Sequence, residues 1–442
     1  MPFTDNLFIV FIFLFFPIYF LAEKLSANTA LKFTALSSFL FVGFYFPLYA
    51  VIPLIQTVFL VQFTKKNRNF FELWVGVVFI LLPLLIFKYF DFFATSFGYS
   101  FSTGLALPLG ISFYTFTAVG FLVDHFHNPK RFTSVSSISV LNFLTYWPHL
   151  ASGPILRSNT FLFKEITPFE KRDYATALVL ITAGLYKKIV IADGVAGYVN
   201  QNISLGIDGM SSIDAAATIV GFSVQIYGDF SGYSDMAIGF ALLMGVTIPA
   251  NFNYPYQAVS LTEFWRRWHI SLTTWFRDYI YIPLGGNTLS RTSGLLVIML
   301  VFFLSGLWHG AAWNFVIWGG LHGGALSLEK LLRTKIHIHN YIAIFITFSF
   351  VSVTWSFFFL SFSDALDLLS NLFVFEYENT PYNVVIILLY LLFVIFDFSI
   401  KPYTVNNKDL KATKKGIFMI PVFIFLCMFF AGESQPFIYF DF

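Results

Sequence analysis

Between Arg291 and Glu329 no side chain carries a formal charge, and within that stretch His309 stands between FFLSGLW and GAAWNFVIWGG. So long an apolar run predicts membrane. In lipid every backbone N–H and C=O must be satisfied inside the protein, so helices or closed barrels are the structures that cross. An ionisable group at that depth is costly, and it faces a bundle interior or a wet cavity, as functional groups do. The plainer alternative is a buried histidine that bonds a backbone carbonyl and fixes packing. The cost argument puts the functional reading first.

The rest of the chain agrees. A composition of 57% hydrophobic and 11% charged residues over 442 positions excludes a soluble protein. Candidate spans fall at 3–22, 33–46, 48–63, 70–90, 104–124, 134–150, 174–200, 212–244, 292–308, 311–330, 340–361, 382–400 and 416–432. Pro47 and Pro53 divide the run 33–63 into two helices or a kinked pair. Residues 151–173 and 245–291 are too polar for lipid and too apolar for water, so they lie along the interface or re-enter the bundle. The expected fold is all-α, a polytopic transmembrane bundle of about 11–13 helices, re-entrant ones included, around a central membrane-embedded cavity. The N-terminal run Phe3–Ala22 lacks a basic leader and a small-residue cleavage site, so it reads as a retained span.

A net charge of +2 makes no case for nucleic acid. Cys427, the sole cysteine, lies in an apolar run, so neither a disulfide framework nor a thiolate metal site is expected. Lysine and arginine concentrate in 64–69 (TKKNRN), 125–133 (HFHNPKRFT), 331–339 (LLRTKIHIH) and 401–415 (KPYTVNNKDLKATKK), which are expected to face the cytoplasm. Residues 91–103 and 362–381 carry Asp91, Asp364, Asp367, Glu376 and Glu378 without a base, as outside loops do. Both chain ends are then outside. His125, His127, His337 and His339 fall in the basic loops and read as solvated. Lys187 and Lys188 either snorkel from a helix end or line a cytoplasmic mouth that attracts an anionic donor.

A second polar island surrounds His269. Read as one helix, residues 262–280 align Trp265, His269 and Phe276, and let Glu263 pair with Arg267 four residues on. One re-entrant segment and one membrane helix would bring His269 and His309 to opposite sides of a cavity. Glycines crowd His309 and His322, as close helix packing requires, and His322 reads as support. Asp229 and Asp235, in YGDFSGYSDMAIG, need partners, for which the arginines of 266–277 are candidates. Asn142, Tyr146, His149 and Arg157 make a third, weaker island.

These residues carry a resemblance. LPLGISFYTF (107–116), LASGPILR (150–157), GLYKKIVIAD (184–193), YGDFSGYSDMAIG (227–239), the block 251–287, LSGLWHGAAWNFVIWGGLHG (304–323) and FIYF (437–440) resemble the membrane-bound O-acyltransferase superfamily, bacterial alginate O-acetylation branch. That branch also holds peptidoglycan O-acetyltransferases and, more distantly, the teichoic-acid D-alanylation protein. The resemblance implies one integral-membrane acyltransferase domain over 1–442, with 1–103 as variable N-terminal helices and 104–442 as the core. It places the superfamily histidine at His309 and a second active-site position at His269, with His322, Trp308 and Asp229 in support.

The function implied is transfer of an acyl group, acetyl above all, from a cytosolic thioester across the membrane for O-acetylation of an envelope or secreted polysaccharide. Peptidoglycan O-acetylation and teichoic-acid D-alanylation are the neighbouring alternatives. His309 is suited to act as general base, with His269 orienting it or polarising the thioester carbonyl. Arg266, Arg267 and Arg277 would steer donor phosphates or anchor the segment to lipid headgroups. Acetyl-CoA or an acyl carrier is the expected donor, and no bound cofactor or metal is expected. The polysaccharide acceptor would be reached through a periplasmic or extracellular acyltransferase partner, which places the chain in the inner membrane. A transporter of an anionic envelope precursor and a non-catalytic scaffold are the readings from other classes.

Overall fold

The computed structural model describes residues 3–100, 102–150, 152–332, 339–374, 381–406, 409–430, 432 and 435–438. It is a multi-pass helical membrane protein. Among the described residues, five helical stretches are long and apolar enough to cross a bilayer: Asn6–Leu25, Phe70–Ser96, Tyr174–Ser204, Arg291–His309 and Asn340–Phe359. The chain divides into two compact units. The first is Met1–Arg172 with Phe240–Pro249, and the second is Asp173–Gly239 with Ala250–Phe442.

In the first unit, α1 (Asn6–Leu25), α2 (Ala27–Val42), α3 (Val51–Phe63), α4 (Phe70–Leu84), α5 (Ile111–His127) and α6 (Ser137–Thr145) are the main helices. Their starts follow capping chemistry: the Asp5, Ser26, Asn69 and Ser136 side chains accept the otherwise unpaired N–H groups of the first turns. The run 33–63 is broken at Pro47, as its prolines require. Trp147, fully buried, packs among Phe8, Phe11, Phe15 and Phe240. Arg172 closes the unit, pairing with Glu23 and donating to the Leu243 carbonyl at 2.9 Å.

In the second unit, α7 (Tyr174–Leu185) runs into a π-helical turn, Tyr186–Asp193, before α8 (Gly194–Ser204). There follow α9 (Ser212–Leu243), the short α10 (Leu261–Arg267) and α11 (Ile270–Phe276), then α12 (Arg291–His309), α13 (Trp313–Leu332), α14 (Asn340–Phe359) and α15 (Pro381–Ile400). Helices α12 and α13 form a hairpin whose contact is made by glycine. A Cβ on Gly306 would strike the Phe315 carbonyl, and one on Gly319 the Phe302 carbonyl.

Two expectations are corrected. The basic stretch 401–415 contains a hairpin, β1 (Tyr403–Asn406) paired antiparallel with β2 (Asp409–Ala412), before α16 (Lys414–Phe429). Tyr403 and Leu410 are buried by it, so half of a loop that reads as solvated is tertiary structure. His125 is likewise buried, edge-on to Phe63 and Phe132 in the last turn of α5. His339 is exposed, and His337, Glu376 and Glu378 lie outside the described residues.

Candidate functional site

Residues 262–280 are not one helix. The chain leaves helical geometry after Arg267, and His269 takes left-handed dihedrals of φ 42° and ψ 53°. A non-glycine residue there costs on the order of 1–3 kcal/mol and persists only where its surroundings enforce it. The enforcement is visible. The extended segment 250–253 runs alongside, Asn253 N–H donating to Arg267 O and Ile270 N–H to Asn251 O, each at 2.9 Å. The break aims the fully buried His269 ring inward instead of leaving it on the stripe with Trp265.

Asn251 then sets the imidazole. Its Nδ2 donates to Ser234 Oγ at 3.0 Å, which fixes the amide, and its Oδ1 accepts from Ser271 N–H and Oγ–H. His269 Nδ1 lies 3.1 Å from that same oxygen and therefore carries the proton. Nε2 is left as an acceptor, buried and without a hydrogen-bond partner among the described residues. Phe230 meets the ring edge-on at 4.7 Å. Asn251 is the site residue that sequence reading missed; a lone asparagine in NFNYP offers no pattern to find it by.

His309 is the last residue of α12, where the helix macrodipole favours a cation, so an imidazole that takes up a proton is stabilised at this position. Trp308, Trp318 and Phe358 pack around it with ring centroids 4.9–5.1 Å away. The His269 and His309 centroids are 6.4 Å apart. A direct N–H···N bond would need about 5 Å, so the two rings, tilted at 54° to one another, are adjacent without being directly bonded. The fold brings them close together, with Trp308 against both.

His322 sits on α13, across the hairpin from His309, with Trp318 between them. The glycine pair Gly319–Gly320 leaves α13 intact, and the helical break falls instead between His309 and Trp313. Trp265 Nε1–H donates to His322 Nδ1 at 3.3 Å. Thr354 commits its hydroxyl proton to Val351 O, so His322 Nε2–H donates to Thr354 Oγ1 at 3.0 Å. Both of its ring nitrogens are thus engaged.

The aspartates do not pair with the arginines. Lys187 Nζ lies 2.8 Å from Asp235 and 3.6 Å from Asp397, with Tyr403 OH at 2.9 Å. Lys188 Nζ lies 2.9 Å from Asp229 and 2.7 Å from Asp193. Both lysines are buried, so neither snorkels from a helix end nor faces an open mouth. Charges this deep must be paired inside the protein, and lysines on a neighbouring membrane helix are better placed for that than arginines at a surface. Asp229 also accepts from Ile438 N–H at 2.8 Å, tying the described part of the C-terminal segment to the helix that carries Phe230.

Arg267 pairs with Glu263 at 2.6 Å and donates to Asn253 O. Burial works against the Glu263 charge, but the Val259 N–H and the Arg267 guanidinium hold its carboxyl below the usual range. Arg266 and Arg277 are exposed, Arg277 beside Asp278 at 2.7 Å. Among the described residues no cluster of three or more His, Cys, Asp or Glu has the arrangement of a metal site.

The model of the membrane-bound O-acyltransferase family matches residues 122–363, which include all three histidines. A peptidoglycan O-acetyltransferase of Helicobacter pylori is 33% identical over 399 residues, 79% of this chain and 76% of that protein. A probable alginate O-acetylase of Pseudomonas aeruginosa is 39% identical over 298 residues, 64% of this chain, and the match spans 56% of its own length. A teichoic acid D-alanyltransferase of Bacillus subtilis is 27% identical over 311 residues, 65% of this chain and 78% of that protein.

Proposed function

Because this chain belongs to the membrane-bound O-acyltransferase family, whose members named above are acyltransferases of envelope polymers, we propose that it moves an acetyl group from a cytosolic thioester to O-acetylate an envelope or secreted polysaccharide. The observation that carries this reading is the adjacent pair His269 and His309, both buried, with one ring tautomer set by Asn251. His309 is the general base on the attacking hydroxyl. Its place at a helix C-terminus supports the cation it becomes. Neutral His269 presents an acceptor at Nε2, so it orients the N–H or O–H that faces it; it cannot donate to the thioester carbonyl without first gaining a proton.

His322, Trp308 and Asp229 hold this arrangement in place. Arg266 and Arg277, exposed on the same polar segment, meet the phosphates of acetyl-CoA or of an acyl carrier, whereas Arg267 is occupied by Glu263. The chain is one acyltransferase domain over 1–442 in a bacterial inner membrane. A periplasmic or extracellular acyltransferase completes delivery to the polysaccharide.

An alginate-like exopolysaccharide is the first acceptor, on the 39% identity to the Pseudomonas protein. Peptidoglycan is the second, favoured by the greater coverage of the Helicobacter match. The test is purified protein with labelled acetyl-CoA, the partner and each glycan in turn. Label appearing in alginate or in peptidoglycan decides between them. Label in neither, with every thioester tried, overturns the acyltransferase reading of this site and favours a transporter.

A further inference from the structure

The first unit contains a cavity of about 150 Å³ that has no part in the histidine site. Asn142, on α6 and 6% exposed, lines it. The Oδ1 of Asn142 is buried and has no hydrogen-bond partner among the described residues. An unsatisfied buried acceptor costs on the order of 1–3 kcal/mol, and in a cavity it calls for a donor.

The mouth has two charges of opposite sign. Lys164 and Glu165 are adjacent, exposed and form no ion pair among the described residues, and both line the cavity. The remaining wall is mixed: the hydroxyl residues Ser139, Thr160 and Thr247 lie on it, and its apolar part includes Leu31 from α2, Val246, and Ile166, itself 42% exposed. Phe169, 49% exposed, follows on the outer surface. A zwitterionic mouth beside an exposed apolar surface, in a membrane protein, matches the chemistry of a lipid headgroup with its acyl chains alongside.

We propose that this cavity binds the headgroup of a phosphoethanolamine lipid. Lys164 meets the phosphate, Glu165 meets the ammonium, and an ammonium N–H reaches Asn142 Oδ1. Leu31, Ile166 and Val246 line the start of the acyl chains. The size is right: a cavity of this volume takes a group of about benzene's bulk, comparable to phosphoethanolamine without its glycerol. The same chemistry sets the specificity. A choline headgroup has no N–H to give Asn142, and a glycerol headgroup has no cation for Glu165.

The test is native mass spectrometry of the purified full-length chain, titrated separately with dioleoyl phosphatidylethanolamine, phosphatidylcholine and phosphatidylglycerol, with free phosphoethanolamine as a competitor. The expected result is retention of the ethanolamine lipid at several-fold lower concentration than either other lipid, and loss of that preference in Asn142→Leu. Lys164→Gln, at the exposed mouth, should weaken all three lipids together, since each carries the phosphate, and it guards against a folding defect in Asn142→Leu. Equal retention of all three lipids overturns the proposal. So does a preference that survives both substitutions, or binding of free phosphoethanolamine in place of the lipid. Acetyl transfer is not measured, so failure here leaves the acyltransferase reading untouched.

Discussion

Trp265 donates its indole N–H to His322 Nδ1 at 3.3 Å, and beside the Leu261 N–H bond to the Glu329 carboxylate this ties the short helix α10 to the membrane hairpin carrying His309 and His322. Trp265→Phe keeps the ring contact and removes the donor. The buried nitrogen left unpaired should cost about 1–3 kcal/mol of stability, read as a lower unfolding temperature in detergent. An unchanged unfolding temperature would show that His322 finds its support elsewhere.

His309→Ala removes the base from a position where the neighbouring Trp308 and Gly310 cannot accept a proton. Acetyl transfer should fall by roughly 10²–10⁴-fold with insertion and purification unaffected. His269→Ala should cost a smaller factor, and His322→Ala less again. A stable His309→Ala protein with near-normal transfer would reduce that histidine to packing.

Asn251 tests the tautomer. Asn251→Ala removes the oxygen that holds the proton on His269 Nδ1, and one such bond, about 1.4 kcal/mol, corresponds to about tenfold in kcat. Asn251→Asp keeps an acceptor and should retain more activity than the alanine variant. If the two are equally impaired, the hydrogen bond to His269 is not what Asn251 contributes.

Lys187→Met should destabilise the protein by about 3–5 kcal/mol, since it leaves Asp235 and Asp397 buried without their cation. Adding Asp235→Asn and Asp397→Asn removes the orphaned charges and should recover much of the loss. Thermal unfolding followed by size-exclusion chromatography reads both steps, and a triple variant no better than Lys187→Met would count against charge as the cause.

The orientation of the first unit's basic loop is testable by labelling. A cysteine at Asn67, with Cys427 removed, should resist a membrane-impermeant thiol reagent in intact cells, while one at Asp367 should react. Reaction at 67 would reverse the topology read from the basic loops.

Hydropathy made most helices legible, because membrane helices are selected by length and apolarity and those are local properties. The Arg291–His309 helix was visible to within a residue at each end. His269 and His309 could be singled out because a titratable group in an apolar context is anomalous on its face. What the sequence hid was pairing at a distance. Asn251 reads as an ordinary loop residue until the chain folds back on itself, and the left-handed turn at His269 has no glycine to announce it. Composition points Asp229 and Asp235 toward the arginines of 266–277, whereas the cations that meet them are lysines on an earlier helical segment, Lys187 standing 48 positions before Asp235. The hairpin after α15 was concealed by its charge, which suggests a solvated loop even where Tyr403 and Leu410 turn inward.

The turn Tyr186–Asp193 makes spacing itself a requirement. Lys188 touches Asp193, five residues on, and in an α-helix those side chains would diverge by about 140°. The widened π-turn brings them together while Lys187, one position earlier, reaches Asp235 and Asp397. Five residues suit a π-turn and four suit an α-turn, so a relative with one residue fewer between the lysine and the aspartate can keep the pair on ordinary α-helical geometry, whereas one residue more would part them.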